Sequence, residues 1–255
     1  MANSVASDER RVVNGKWRLA RGENSSSPVT RHLSPKWSWL LYGVIAIVVV
    51  GILAFATLRP IQVLPRISLA PGFALTDQDG RRLTSEDLRG HLVLYNFTYT
   101  RCQAPCPQTT PVMRSVQDRL REVDTRGVPI TITLLTLSFD PEHDTPERLR
   151  AFANELGADT ARWRMVTGDP TLLKYVLGGN FNVYYTPNPD GTYTFDPVFV
   201  LVDGWGILRA IYRTATPGTD RLLRDLRLIV QEVRNSTGAA RLAYEAAHLF
   251  LCYPP

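Results

Sequence analysis

Cys102 and Cys106 lie in the run Tyr95-Asn96-Phe97-Thr98-Tyr99-Thr100-Arg101-Cys102-Gln103-Ala104-Pro105-Cys106-Pro107, with three residues between them. A dithiol at that spacing can close as a disulfide or hold one soft ion such as Cu(I), and the thiolate is the form that does either. Two small buried apolar residues are the competing account, since free cysteine is commonly a core residue. The surroundings favour chemistry: an apolar run that reads as a buried strand leads into the pair, and prolines flank Cys106 on both sides. Pro107 has no N–H to lose and suits the first position of a helix, which puts Cys106 at or near the N-cap of a helix from Pro107 to about Val123. The unpaired N–H groups and the helix dipole at that place favour a thiolate.

The elements that position the pair follow from hydrophobic period and turn signals. A long central strand is expected at about residues 91–98, after a short strand and a turn at Asp77-Gln78-Asp79-Gly80. The expected helix from Pro107 carries Val112, Met113, Val116, Leu120 and Val123 on one side. VPITITLLTLSFD is a near-continuous apolar run, the pattern of a strand covered on both faces. Thr145-Pro146-Glu147 opens a helix to about Leu156 by an N-cap with proline behind it. A short strand at Trp163-Arg164-Met165-Val166 and a helix from Pro170 to Leu177 follow. TFDPVFVLVDGWGILRAIYR reads as two strands joined at Asp203-Gly204-Trp205-Gly206, and a last amphipathic helix begins near Thr219. Strands alternating with helices, and one hairpin near the end, predict an α/β domain with a mixed sheet covered on both faces.

The net charge of +5 is not spread evenly. Residues 1–36 hold seven basic residues against three acidic ones, among them Arg10, Arg11, Arg18 and Lys36. The basic character belongs to this arm, and no aromatic-interleaved basic stripe or zinc-finger spacing supports a nucleic-acid partner. The arm is polar, rich in Ser, Gly and Pro, and is expected to be disordered. Next, WLLYGVIAIVVVGILAFATL, Trp39 to Leu58, is 20 residues without a charge, which as a helix is about 30 Å long and matches a bilayer core. Trp37, Trp39 and Tyr42 suit its interface, and the basic excess before it places the N-terminus in the cytoplasm and the rest outside, at the cell membrane. Ala54-Phe55-Ala56 offers a signal-peptide cleavage pattern, but the arm and the apolar run are both longer than a signal peptide has. The expected organisation is an arm at 1–36, a transmembrane helix at 37–58, an extended tether at 59–70, a folded domain at 71–235 and a C-terminal tail with a short helix at 236–255.

Three ordered blocks, LTDQDGRRLTSEDLRGHLVLYNFTYTRCQAPCP, TLSFDPEHDTPERLRAFANELG and FVLVDGWGILRAIYR, together resemble the Sco/SenC family of membrane-anchored, thioredoxin-fold copper-handling proteins. The resemblance covers roughly residues 68 to 234 and is more specific than the cysteine pair alone. It implies a thioredoxin-like mixed sheet flanked by helices, with the N-terminal transmembrane helix as anchor. It also implies a copper chaperone or thiol-disulfide factor for the copper site of a haem-copper respiratory oxidase. The family cysteines fall on Cys102 and Cys106, as copper ligands or redox pair. The family's third ligand, a histidine, falls on Asp196. A hard carboxylate replaces imidazole poorly for Cu(II), so the expected cargo is Cu(I) in preference to Cu(II), and a copper-free protein stays open.

No histidine is an obvious substitute. His32 is on the arm, His91 begins the central strand at the end away from the cysteines, His143 lies in a loop on the cysteine side, and His248 reads as a stripe residue of the last helix. Pro197 falls where thioredoxin-like disulfide reductases carry a cis-proline facing their cysteines, and Asp196 beside it would serve as proton acceptor; a plain turn residue is the alternative. Cys252 is the odd cysteine, either buried or paired between chains. Three functions remain: the oxidase copper factor, a copper-free exported thiol-disulfide reductase, and a non-catalytic accessory subunit of a membrane respiratory complex. Enzymatic activity, in the first two, means thiol-disulfide exchange.

Overall fold

A computed structural model describes residues 35–58, 62–179, 181–236 and 238–250. Most of the basic arm, His32 and Cys252 lie outside them. Helix α1 (Pro35–Leu58) is uninterrupted, and its span Trp37–Ala54, with a mean hydropathy of 2.3, is long and apolar enough to cross a membrane. Trp39 and Ile47 are exposed along it, as on a helix whose solvent is lipid.

The folded domain is built on an eight-stranded mixed sheet. Its strands in chain order are β1 (Ser68–Leu69), β2 (Ala74–Asp77), β3 (Arg82–Thr84), β4 (His91–Thr98), β5 (Thr131–Ser138) and β6 (Trp163–Thr167). A separate two-stranded hairpin, β7 (Tyr185–Pro187) with β8 (Tyr193–Phe195), precedes β9 (Phe199–Val202) and β10 (Ile207–Tyr212). The order across the large sheet is β1-β10-β9-β4-β5-β6-β2-β3. The neighbours β4, β5 and β6 are parallel, which demands crossovers, and these are α2 (Thr110–Arg119) and α3 (Pro146–Leu156). Helices α4 (Pro170–Gly179), α5 (Thr219–Arg234) and α6 (Gly238–Phe250) follow.

Alternation along the central strands divides the core in two. Leu92 and Leu94 of β4, with Phe199 and Leu201 of β9, pack against α2, α3 and α5 through Met113, Val116, Leu149, Ala153, Leu222 and Ile229. Val93, Tyr95 and Phe97 point the other way, to Leu173, Val176 and Leu177 of α4 and to Phe195 of the β7–β8 hairpin. Both faces are therefore covered, as the continuous apolar runs require.

The caps on α3 explain its bounds: Thr145 accepts from the Arg148 N–H, Pro146 sits at the start, and Gly157 at φ 62 closes the far end in the left-handed conformation. The expected helix at Pro107 is different. α2 begins at Thr110 with Thr109 as N-cap and Pro111 in its first turn. Asn96 of β4 holds the Thr109 hydroxyl at 3.0 Å from across the core, which favours Thr109 over Cys106 as the cap. The Cys106 N–H instead closes a turn on the Gln103 carbonyl at 2.8 Å. Cys106 is thus not a helix cap.

Of the segment expected as a tether, the described residues 62–70 are extended but held to the domain. Val63 and Leu64 are buried, and β1 pairs with β10. Arg209 of β10, 0% exposed, donates to the Leu64 and Pro65 carbonyls and to the carboxylates of Asp203 and Glu232. Glu232 also takes Arg66 at 3.1 Å and His248 at 2.9 Å, so one carboxylate joins the chain after α1, the sheet, α5 and α6. His248 is therefore a partner in a buried ionic cluster rather than a plain stripe residue.

Candidate functional site at the end of strand β4

β4 is buried along most of its length and delivers Tyr99, Thr100, Arg101 and Cys102 at its C-terminal end. Three polar groups hold this end in place. Asn96 donates to Thr109 Oγ1 at 3.0 Å and accepts from Thr136 Oγ1 at 2.6 Å, and Trp163 Nε1 donates to Thr136 Oγ1 at 2.8 Å. This buried chain fixes the distance from β4 to the start of α2, and so the length the cysteine loop must span. Buried Asp144 accepts from the Thr100 N–H at 2.8 Å and its hydroxyl at 2.6 Å, and also from the Ser138 hydroxyl.

Arg101, next to Cys102, is the third tie. Its guanidinium donates to Asp140 at 2.7 and 3.1 Å and to the Gly191 carbonyl at 3.1 Å. Asp140 is 1% exposed and also accepts from Tyr193 Oη at 3.3 Å, while His143 Nδ1 lies 3.0 Å away. Burial, and then the Asp140 carboxylate, push the Tyr193 phenol up to about 12, so it remains a donor. The Asp140 hydrogen bond raises Arg101 further above its ordinary value. Tyr99, Phe139, Tyr185, Tyr193 and Phe195 pack ring to ring behind these groups.

Cys102 and Cys106 are joined as a disulfide with Cα atoms 5.4 Å apart. Both are half-buried and rest on the core face shared with α4 and the hairpin. A cleft of about 490 Å3 opens between their loop and the β7–β8 hairpin, bordered by Arg101, Gln103, Pro105, Cys106, Asn188 and Thr194. The structure therefore gathers the two sulfurs, Arg101, Asp140, His143 and Tyr193 at one end of the sheet.

It does not add a third metal ligand. Among the described residues no three His, Cys, Asp or Glu side chains come together as a metal site. Asp196 is exposed: Phe195 of β8 points into the core, and alternation turns Asp196 outward. The expected cis-proline is also corrected, since the cis peptide bond among the described residues is Ala104–Pro105 and Asp196–Pro197 is trans. The trans form of an X–Pro bond is lower by about 0.5–1 kcal/mol, and the link from β8 to β9 adopts it. His91 Nδ1 pairs with Thr133 Oγ1 at 2.8 Å at the start of β4, and His248 belongs to the Glu232 cluster.

The sequence reading missed the β7–β8 hairpin, the far wall of the cleft. Its signal was present in Asn188-Pro189-Asp190-Gly191, a turn sequence in which Gly191 has φ 78, between two short aromatic alternations. It also missed Gln108, whose Nε2 donates to the Cys102 carbonyl at 2.7 Å; no local pattern marks that contact.

Comparison with known proteins agrees with this architecture. A protein of Bacillus subtilis described as an SCO1 protein homolog is 31% identical over 96 residues, covering 38% of this chain and 47% of that protein. The chain thus spans about half the length of that relative. Two solved structures share the fold. One is BsSco, described as a member of the Sco family of cytochrome c oxidase assembly proteins with a disulfide switch; it superposes with a TM-score of 0.57 at 24% identity, covering 66% of this chain and 97% of that one. The other is Arabidopsis thaliana ScoI with copper bound, with a TM-score of 0.54 at 23% identity over 66% and 99%. The SCO1/SenC family pattern itself matches residues 63–231, from the buried Val63 through the cysteine loop to α5, so the chain belongs to the SCO1/SenC family.

Proposed function

We propose that this domain carries Cu(I) and exchanges thiols for disulfides in the assembly of the copper site of a haem-copper respiratory oxidase, with Cys102 and Cys106 as its working residues. The observation that carries the reading is the disulfide between them at the edge of an open cleft, on a loop tied down by Arg101 and Asp144. Family membership supports it, since BsSco is described as an oxidase assembly protein and the Arabidopsis ScoI structure contains copper. Copper here is cargo. Two-electron reduction of the disulfide frees two thiolates, a donor set that suits soft Cu(I). Asp196, exposed and without imidazole chemistry, leaves Cu(II) poorly served. Helix α1 would anchor the domain at a membrane facing the copper-site subunit of the oxidase, or another respiratory complex, with the domain outside the cytoplasm.

The absence of a third ligand group among the described residues favours a second reading, a disulfide reductase that carries no copper. Anaerobic titration of the reduced full chain in detergent separates the two. The expected result is one Cu(I) per chain, lost in the Cys102→Ser, Cys106→Ser double variant. No Cu(I) uptake by the intact reduced chain would remove copper and leave the reductase.

A further inference from the structure

The two sulfurs share one bond but not one environment. Cys106 borders the open cleft, and Cys102 is not among its lining residues. Cys102 Sγ faces the chain that follows it: Gln108 Nε2 lies 3.9 Å away and the Pro107 carbonyl oxygen 3.5 Å away. Gln108 is anchored there by its 2.7 Å bond to the Cys102 carbonyl and lies 3.5 Å from the Cys106 carbonyl. Its amide hydrogens are thus held on the Cys102 side of the disulfide. With α2 starting only at Thr110, the side-chain donor beside the pair is Gln108, and of the two sulfurs its amide reaches that of Cys102.

Thiol-disulfide exchange distinguishes the attacked sulfur, which must be reached, from the leaving sulfur, which must carry negative charge. Resting on the thiol-exchange reading above, we infer that a partner thiolate attacks Cys106, that Cys102 is the leaving group, and that Gln108 is a positioning residue for the departing Cys102 thiolate. In the first step a bond forms between the partner sulfur and Cys106 Sγ, and the Cys102–Cys106 bond breaks. The electron pair goes to Cys102 Sγ, where the Gln108 N–H donates to it. Once protonated from water, the Cys102 thiol donates to the Pro107 carbonyl. In the second step another thiolate of the same partner attacks the partner sulfur of the mixed disulfide and releases Cys106. A partner dithiol is oxidised by two electrons, the cysteine pair is reduced by two, and the two thiol protons pass through solvent to Cys102 and Cys106. In reverse, Cys106 attacks a partner disulfide and Cys102 resolves it. The partner this geometry fits is an extended segment carrying two cysteines, entering between the cysteine loop and the hairpin.

The test uses the full chain in detergent in a Cys252→Ser background. The Cys102→Ser variant, which keeps Cys106, is expected to react with dithionitrobenzoate about tenfold faster than the Cys106→Ser variant, which keeps Cys102. The reverse order would overturn the assignment and leave thiol exchange standing; no reaction of either would overturn both. For Gln108, the readout is the pH profile of alkylation of each remaining cysteine. Gln108→Leu is expected to move the Cys102 profile to higher pH, and Gln108→Glu to move it further, with the Cys106 profile unchanged. Equal shifts at both cysteines, or none, would overturn the role of Gln108.

Discussion

Asn96, near the C-terminal end of β4, donates from its side-chain amide to the hydroxyl of Thr109, the N-cap residue of α2, across 3.0 Å of buried interior. The bond ties the strand that brings in the cysteines to the helix that leads away from them. Between Asn96 and Thr109 lie the last two residues of β4 and the cysteine loop, residues 99–108, whose two ends are thereby clamped to each other. Replacing Asn96 by Ala leaves the Thr109 and Thr136 hydroxyls short of a partner. A buried group so orphaned costs about 1–3 kcal/mol. Urea unfolding should show that loss in the midpoint with little change in slope.

Arg101 and Asp140 form the clamp nearest the sulfurs. Asp140 is 1% exposed, so Arg101→Met strands a buried carboxylate. Breaking a buried pair costs about 3–5 kcal/mol, and Arg101, itself 40% exposed, puts the expectation at the lower end. Hydrogen exchange should quicken across residues 101–108 and spare β5 and β6. Uniform quickening would show that the pair supports the whole domain rather than the loop.

The disulfide closes a loop of five residues, Cys102 to Cys106. Chain entropy for so short a loop is worth about 2 kcal/mol. Reduction should therefore lower unfolding stability by that order, and Cu(I) added to the reduced chain should restore part of it by binding the folded form. Calorimetry of oxidised, reduced and Cu(I)-treated chain reads all three. A reduced form as stable as the oxidised one would mean that the loop is already ordered without the bond.

Glu232 predicts an acid-sensitive fastening of α6. Burial pushes its carboxyl up, but the His248 hydrogen bond and the Arg209 charge and hydrogen bond outweigh burial and hold it at about 2. Its folded value is depressed, so its stabilising contribution is complete above the ordinary carboxylate range, near 4.5. That contribution disappears as pH falls from there toward about 2. Hydrogen exchange in residues 238–250 should quicken over that window, and Glu232→Gln should show the quickened exchange already at neutral pH. A variant with unchanged exchange would detach α6 from this cluster.

Periodicity and punctuation made most of the fold legible. β4, β5, α3 and the β9–β10 hairpin lie where apolar runs, Thr145-Pro146 and Asp203-Gly204-Trp205-Gly206 put them, because short-range sterics and caps set those bounds. The start of α2 was misplaced by three residues. Pro107 and Pro111 are both acceptable first-turn prolines locally, and the choice between them is made by Asn96, which holds Thr109 from across the core. The β7–β8 hairpin was overlooked because strands of three residues carry little period, and its value lies in closing one side of the cleft.

The sequence by itself determined the closely spaced cysteine pair, the family blocks around it and the apolar helix α1, since each is a property of neighbouring residues. Only the tertiary structure decided what surrounds the sulfurs. It turned Asp196 outward, brought Arg101 to Asp140 and Gln108 to Cys102, and set Cys106 alone on the open cleft. Those outcomes depend on which strands lie side by side and which face each residue takes. Contacts between segments as distant as β4 and β8 are fixed by packing, for which no local spacing is a signal.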